Sequence, residues 1–206
     1  MRILLCTVLA VSPFVYPGVA IGQHTDFLTG HNINSIAILP SLGTNAPASA
    51  RTMSADLFAI KFKTQNSGVK LVTADETTSA MQSKSTMSEY SFFVTTLAQS
   101  GLVNTDALKK VTQALGTDAV LLIDVLNYQE EKGSWWYGKG GKNISRIQYT
   151  LFRSSDGIKI WETLEFRQHD SKVSTNPYPM ERVIGDVSDK AVACLLSGTQ
   201  HVDVKK

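Results

Sequence analysis

Little in this 206-residue chain is built for chemistry. Cysteine appears only twice, at Cys6 and Cys194, so no set of disulfides can staple it. Charged residues make up only 18% and the net charge is +2, or +1 without Arg2. That net charge leaves no electrostatic case for nucleic acid or for an anionic membrane. There are four histidines, His24, His31, His169 and His201, and no two have the spacing of metal ligands. No apolar run approaches the roughly 20 residues needed to cross a bilayer. No internal repeat appears. The sequence implies no cofactor.

The longest apolar run does have a use. Arg2 precedes Ile3 to Val15, and small residues follow at Gly18, Ala20 and Gly22. This is the layout of a cleaved secretory signal peptide over 1–22, with cleavage expected after Ala20 or Gly22. Ser12 and Pro13 suit a removed segment better than an anchor. Cys6 lies near the start of the run, where a lipidated Cys of a normal export signal does not stand. The expected location is therefore periplasmic or secreted, without an evident lipid tether. Cys194, in Ala191-Val-Ala-Cys-Leu-Leu196, is expected to be a small buried core residue.

About 184 residues remain after Gly22, the size of one domain. Residues 23–34 are polar and unpatterned and are expected to form a mobile leader. Ser35 to Leu39 is a short apolar run stopped by Pro40, a buried strand. Pro47 suits the first turn of a helix with Thr44 or Asn45 near its cap, and apolar spacing predicts that helix over 48–63. Gly68 is available for a left-handed turn after it. Val69 to Val72 is a second strand. Thr73 and Glu76 form a capping box for a helix at 75–81. Helices are predicted at 88–99 and from Asn104 or Thr105 to Gly116. The continuous apolar run from Ala119 to Leu126 predicts a central strand buried on both sides. Alternation predicts strands at 144–152 and 158–166, joined by a turn at Ser154-Ser-Asp-Gly157. A last helix is expected over 181–196, then a tail over 198–206. The fold class is α/β: a single-layer mixed sheet of about five strands with helices packed on it. Its order is β-α-β-α-α-β-β-β-α, with two or three helices before the central strand, in one domain over 35–197.

Several phrases in this pattern resemble a known group. Ile36-Ala-Ile-Leu-Pro40, Leu115-Gly-Thr-Asp-Ala-Val-Leu-Leu122 and Ser155-Asp-Gly-Ile-Lys-Ile-Trp161 are similar to phrases of bacterial envelope proteins of the CsgG-like, Pel-export lipoprotein and TolB amino-terminal-domain type. The resemblance spans roughly 33–196. It implies a role in outer-membrane secretion, lipoprotein assemblies or regulation of wall-building enzymes. Two departures stand out: the lipidation Cys is missing, and Ser41 follows the proline where an aromatic is frequent. Read physically, Asp118 belongs to a polar turn between helix and strand, Gly157 to a tight turn, and Trp161 to the core or a sheet face.

Gly133-Ser-Trp-Trp-Tyr-Gly138-Lys139 has the spacing of a phosphate-binding loop. Gly140 stands where Ser or Thr should hold magnesium, and a strand follows instead of a helix, so nucleotide binding is not expected. Glu130 and Glu131 are adjacent on a strand end and point apart, as solvated charges do. His169-Asp170, with Ser171 beside them, is the only pair that a hydrolase could use.

The aromatic loop is different. Trp135, Trp136 and Tyr137 lie among four glycines, with Lys132, Lys139 and Lys142 around them. Three readings are open. The rings fold back as a satellite core, form a partner surface, or meet a bilayer interface. The function expected is a non-catalytic periplasmic accessory protein in envelope assembly or export. It would act by docking or oligomerisation on envelope or outer-membrane proteins or on itself, with peripheral membrane contact as a further possibility. The alternative is a soluble periplasmic regulatory or peptidoglycan-binding domain. The hydrolase reading, through His169 and Asp170, carries the least weight.

Overall fold

The computed structural model describes residues 26–66, 68–171 and 174–200. The signal segment, Cys6, His24 and His201 lie outside them. Six helices and five strands are described: α1 Asp26–Gly30, β1 Ser35–Ile38, α2 Ala48–Gln65, β2 Lys70–Val72, α3 Ala74–Ser83, α4 Met87–Ser100, α5 Thr105–Leu115, β3 Ala119–Glu131, β4 Lys142–Arg153, β5 Lys159–Asp170 and α6 Met180–Ser197. One open sheet has the strand order β2-β1-β3-β4-β5. β1 pairs in parallel with β2 and β3, while β3, β4 and β5 form an antiparallel meander. The fold class is the one the pattern predicts. Three helices stand between β2 and β3, where two or three are expected.

Helices cover the sheet unequally. Ile36, Ile38, Leu121, Ile123, Tyr149, Leu151 and Trp161 belong to the core shared with α2 and α6. Ala37, Leu39, Val120, Leu122 and Phe152 pack on the other side with α3, α4 and α5. The early part of β3 is therefore buried on both faces, as its unbroken apolar run requires. Past Val125 the pattern changes, and Gln129, Glu130 and Glu131 are exposed. β4 buries Asn143, Ser145, Ile147, Tyr149 and Leu151 in alternation, leaving Arg146 exposed between them. The meander thus runs on beyond the second helical layer, and the β3–β4 connection sits at its projecting end.

Helix ends follow local chemistry. Thr73 Oγ1 accepts the Glu76 N–H at 3.4 Å, and Glu76 accepts the Thr73 N–H at 2.8 Å, a reciprocal box. The Asn104 side chain accepts the Ala107 N–H at 2.9 Å. Two expectations change. Pro47 is itself the cap residue of α2, with no side-chain cap bond. Gly68 does not turn left-handed; Asn66 Oδ1 accepts the N–H groups of Gly68 and Val69 at 2.9 and 3.0 Å, so an asparagine turn does that work.

Part of the expected leader, residues 26–34, is anchored; residues 23–25 lie outside the described residues. Leu28 is wholly buried and Ile33 nearly so, both in the α2–α6 core. Phe27, Leu28 and Ile33, scattered among polar neighbours, give no periodic signal, yet all three pack on that core. Asp118 secures the entry to β1: its Oδ2 accepts the Asn34 N–H at 2.9 Å and the Ser35 hydroxyl at 3.0 Å, while Ser35 Oγ accepts the Asp118 N–H at 3.0 Å.

Candidate functional site: an aromatic loop on a braced base

The connection between β3 and β4 is not a slack loop. Ser134 and Lys139 form an antiparallel bridge, and Trp135–Tyr137 make one 3-10 turn between them. The Ser134 carbonyl accepts the N–H groups of Tyr137 at 3.2 Å and Lys139 at 3.0 Å. Gly138 closes the turn at φ +59°, a left-handed conformation that suits glycine.

The base is tied to the segment after β5. Gly133 N–H donates to Thr175 O at 2.7 Å, Gly141 N–H to Ser174 O at 3.0 Å, and Ser171 N–H to Gly141 O at 2.7 Å. Glycine is required by proximity here. A Cβ on Gly140 would lie 1.4 Å from Ser171 O, and one on Gly133 2.2 Å from Lys139 O. Asn143 adds a second brace. It is buried, its Oδ1 accepts the Tyr178 N–H at 2.7 Å, and its Nδ2 donates to Tyr178 O at 3.1 Å and to Tyr128 Oη at 3.3 Å. Arg182 lies 4.6 Å over the Tyr178 ring, and His169 meets that ring edge-on.

On this base the rings stand in solvent. Trp135, Trp136 and Tyr137 are 78%, 86% and 80% exposed. The two indoles meet edge to face, 5.4 Å apart at 73°. They do not fold back on the sheet, so the satellite-core reading is corrected: the short 3-10 turn carries the side chains away from it. Lys132 and Lys139 are exposed beside the rings. Lys142 differs, because it is half-buried and registered between Glu131 on β3 and Asp170 on β5. The loop carries its charge at Lys132 and Lys139.

The other sequence candidates do not assemble. The glycine-lysine spacing is followed by β4, not a helix. Glu130 accepts the Tyr128 hydroxyl at 2.6 Å. His169 Nε2 lies 3.3 Å from Asp186, whereas Asp170 is exposed and accepts from Gln168 at 3.0 Å. Ser171 Oγ accepts the Ser174 N–H at 3.0 Å. Histidine, aspartate and serine thus serve three separate contacts. His31 stacks edge-on against Phe27. Among the described residues, no three His, Cys, Asp or Glu side chains gather to hold a metal ion, and no helix is long and apolar enough to cross a membrane.

One polar cluster was not foreseen. Glu165 is fully buried on β5, with Lys190 Nζ 2.9 Å away at 26% exposure. Thr163 donates to Glu165 at 2.9 Å, and Cys194 Sγ lies 3.9 Å from it. Its position in the α6–sheet core makes it a paired internal charge. Cys194 is buried, as expected, and Trp161 is a core residue whose Nε1 donates to Thr199 O at 2.9 Å.

No family model matches the chain, and no curated protein matches it. Solved structures do. The hypothetical protein CT253 of Chlamydia trachomatis is 9% identical, with 81% of this chain and 99% of that one covered at a TM-score of 0.51. The PelC dodecamer from Paraburkholderia phytofirmans is 13% identical, covering 81% and 89% at 0.45. Lipoprotein GNA1162 from Neisseria meningitidis is 20% identical, covering 68% and 85% at 0.43. At these identities the likeness is one of fold.

Proposed function

We propose that this chain is a non-catalytic periplasmic accessory protein in envelope assembly or export, acting by contact through Trp135, Trp136 and Tyr137. One observation carries this reading: three large rings are held almost entirely in solvent by a base that is hydrogen-bonded on both sides. Exposed aromatics are costly to keep in water, and contact surfaces concentrate them. The bracing supports the same reading, since a surface ordered beforehand loses little freedom on binding. The export signal supplies the compartment, and the envelope-type phrases supply the context.

The test is fractionation and sizing of the exported chain. The wild type is expected with the envelope fraction or as a discrete multimer. Replacing Trp135, Trp136 and Tyr137 together by Ser should release it as a soluble monomer with an unchanged melting temperature. An unaltered distribution of that variant would remove the loop from the function.

A further inference from the structure

The loop's composition narrows what it meets. From Lys132 to Lys142 the chain reads KGSWWYGKGGK, with three lysines and no acidic residue. Its apolar side chains are two tryptophans and a tyrosine, without any Leu, Ile, Val, Met or Phe. Trp and Tyr favour the headgroup level of a bilayer, where the ring is in an apolar setting and its N–H or O–H stays wet. Lysine beside them matches anionic headgroups. The nearby carboxylates are set back from the tip. Glu131 and Asp170 flank Lys142 in register, and Glu130 is held by Tyr128. That leaves Lys132 and Lys139 beside the rings.

Shape agrees. The rings cap a narrow hairpin that runs beyond the second helical layer, rather than lining a broad concave face. A protein hot spot is normally ringed by near-neutral contacts that exclude water. Here the immediate surroundings are glycine and lysine.

Resting on the contact surface proposed above, we infer that its occupant is an anionic phospholipid surface, with Trp135, Trp136 and Tyr137 seated among the headgroups and Lys132 and Lys139 on the phosphates. Contact is peripheral and reversible, because three rings immerse only the tip of a folded domain.

The test is vesicle co-sedimentation of the purified mature chain on phosphatidylethanolamine with phosphatidylglycerol, against pure phosphatidylcholine. Binding is expected on the anionic vesicles, with a blue shift of the tryptophan emission and protection from iodide. Buried Trp161 provides the unmoved background. The Trp135→Ser, Trp136→Ser, Tyr137→Ser variant should lose both signals. Lys132→Gln with Lys139→Gln should weaken binding by roughly fivefold per lysine and flatten its salt dependence. Failure of the wild type to bind at low salt overturns the lipid assignment, as does undiminished binding of the ring variant. If the wild type ignores vesicles while the ring variant still leaves the envelope fraction, the lipid inference falls and the contact surface stands. If neither experiment responds to the rings, both fall.

Discussion

The two ends of β4 reverse the chain in opposite ways. At one end, five residues suffice. Arg153 N–H donates to Ile158 O at 2.9 Å, Gly157 takes φ +73°, and the Arg153 guanidinium grips the Asp156 carboxylate with Nε 3.0 and 3.1 Å from its oxygens. Most of this turn's polar contacts close it, with Ser154 N–H donating outward to Asp118 O at 2.8 Å. At the other end ten residues are used: Ser134 O closes the tip, while the Gly133 and Gly141 bonds go sideways into the segment after β5. The first turn only connects strands. The second turns connection into presentation: its backbone is as constrained as the first, yet its largest side chains touch almost nothing. Exposure and mobility are therefore separate properties here.

That contrast can be broken most severely at its base. Gly140→Ala forces a methyl group into the Ser171 carbonyl. It should cost about 3 kcal/mol and reduce vesicle or envelope association with the rings intact; a melting curve and the sedimentation assay check both. Asn143→Ala removes both bonds to the Tyr178 backbone and the one to Tyr128. The expected loss is about 2 kcal/mol in urea unfolding, with Gly133 and Gly141 amides exchanging faster with solvent.

At the tight turn the effect should be smaller. The Arg153 guanidinium beside Asp156 holds its carboxyl below the usual value of 3.8. A carboxylate with a lowered pKa stabilises the fold above that value, and the contribution fades as the pH falls through the folded-state pKa. Asp156→Asn should thus cost about 0.5 kcal/mol at neutral pH and nothing in strong acid, leaving loop contact unaffected. The smallest stability change belongs to the triple Ser variant of the rings, within about 0.5 kcal/mol of wild type by thermal unfolding. A large loss there would show that the rings support the fold.

Much of this was legible in the residues because periodicity reports burial. The helix over 48–63, the capping box at Thr73 and the two-sided strand from Ala119 all follow from spacing. Strand lengths were not legible. β3 runs on to Glu131 and β5 to Asp170, where ladder pairing continues after the apolar alternation has ended. The aromatic loop was visible as composition, but its stiffness was hidden, since Gly133, Gly140 and Gly141 look like slack in a sequence. Gly140 is fixed by Ser171 and Gly141 by Asn176, more than thirty residues away, and Gly133 by Lys139 across the loop. The one available signal was Asn143, a polar side chain at a buried phase of its strand.

Near the ends of the described chain, α1 rests on α6. A Cβ on Gly198 would come within 2.7 Å of the Phe27 ring, and Thr199 is tied to Trp161. Topologically the domain is almost a closed ring. Both described ends lie at the tight-turn end of the meander: Thr199 is held by Trp161, the partner of Leu151, and His31 to Ile33 share a cleft with Arg153 to Ser155. A label or tether carried from that end leaves the aromatic end free, which separates where the chain is held from where it makes contact.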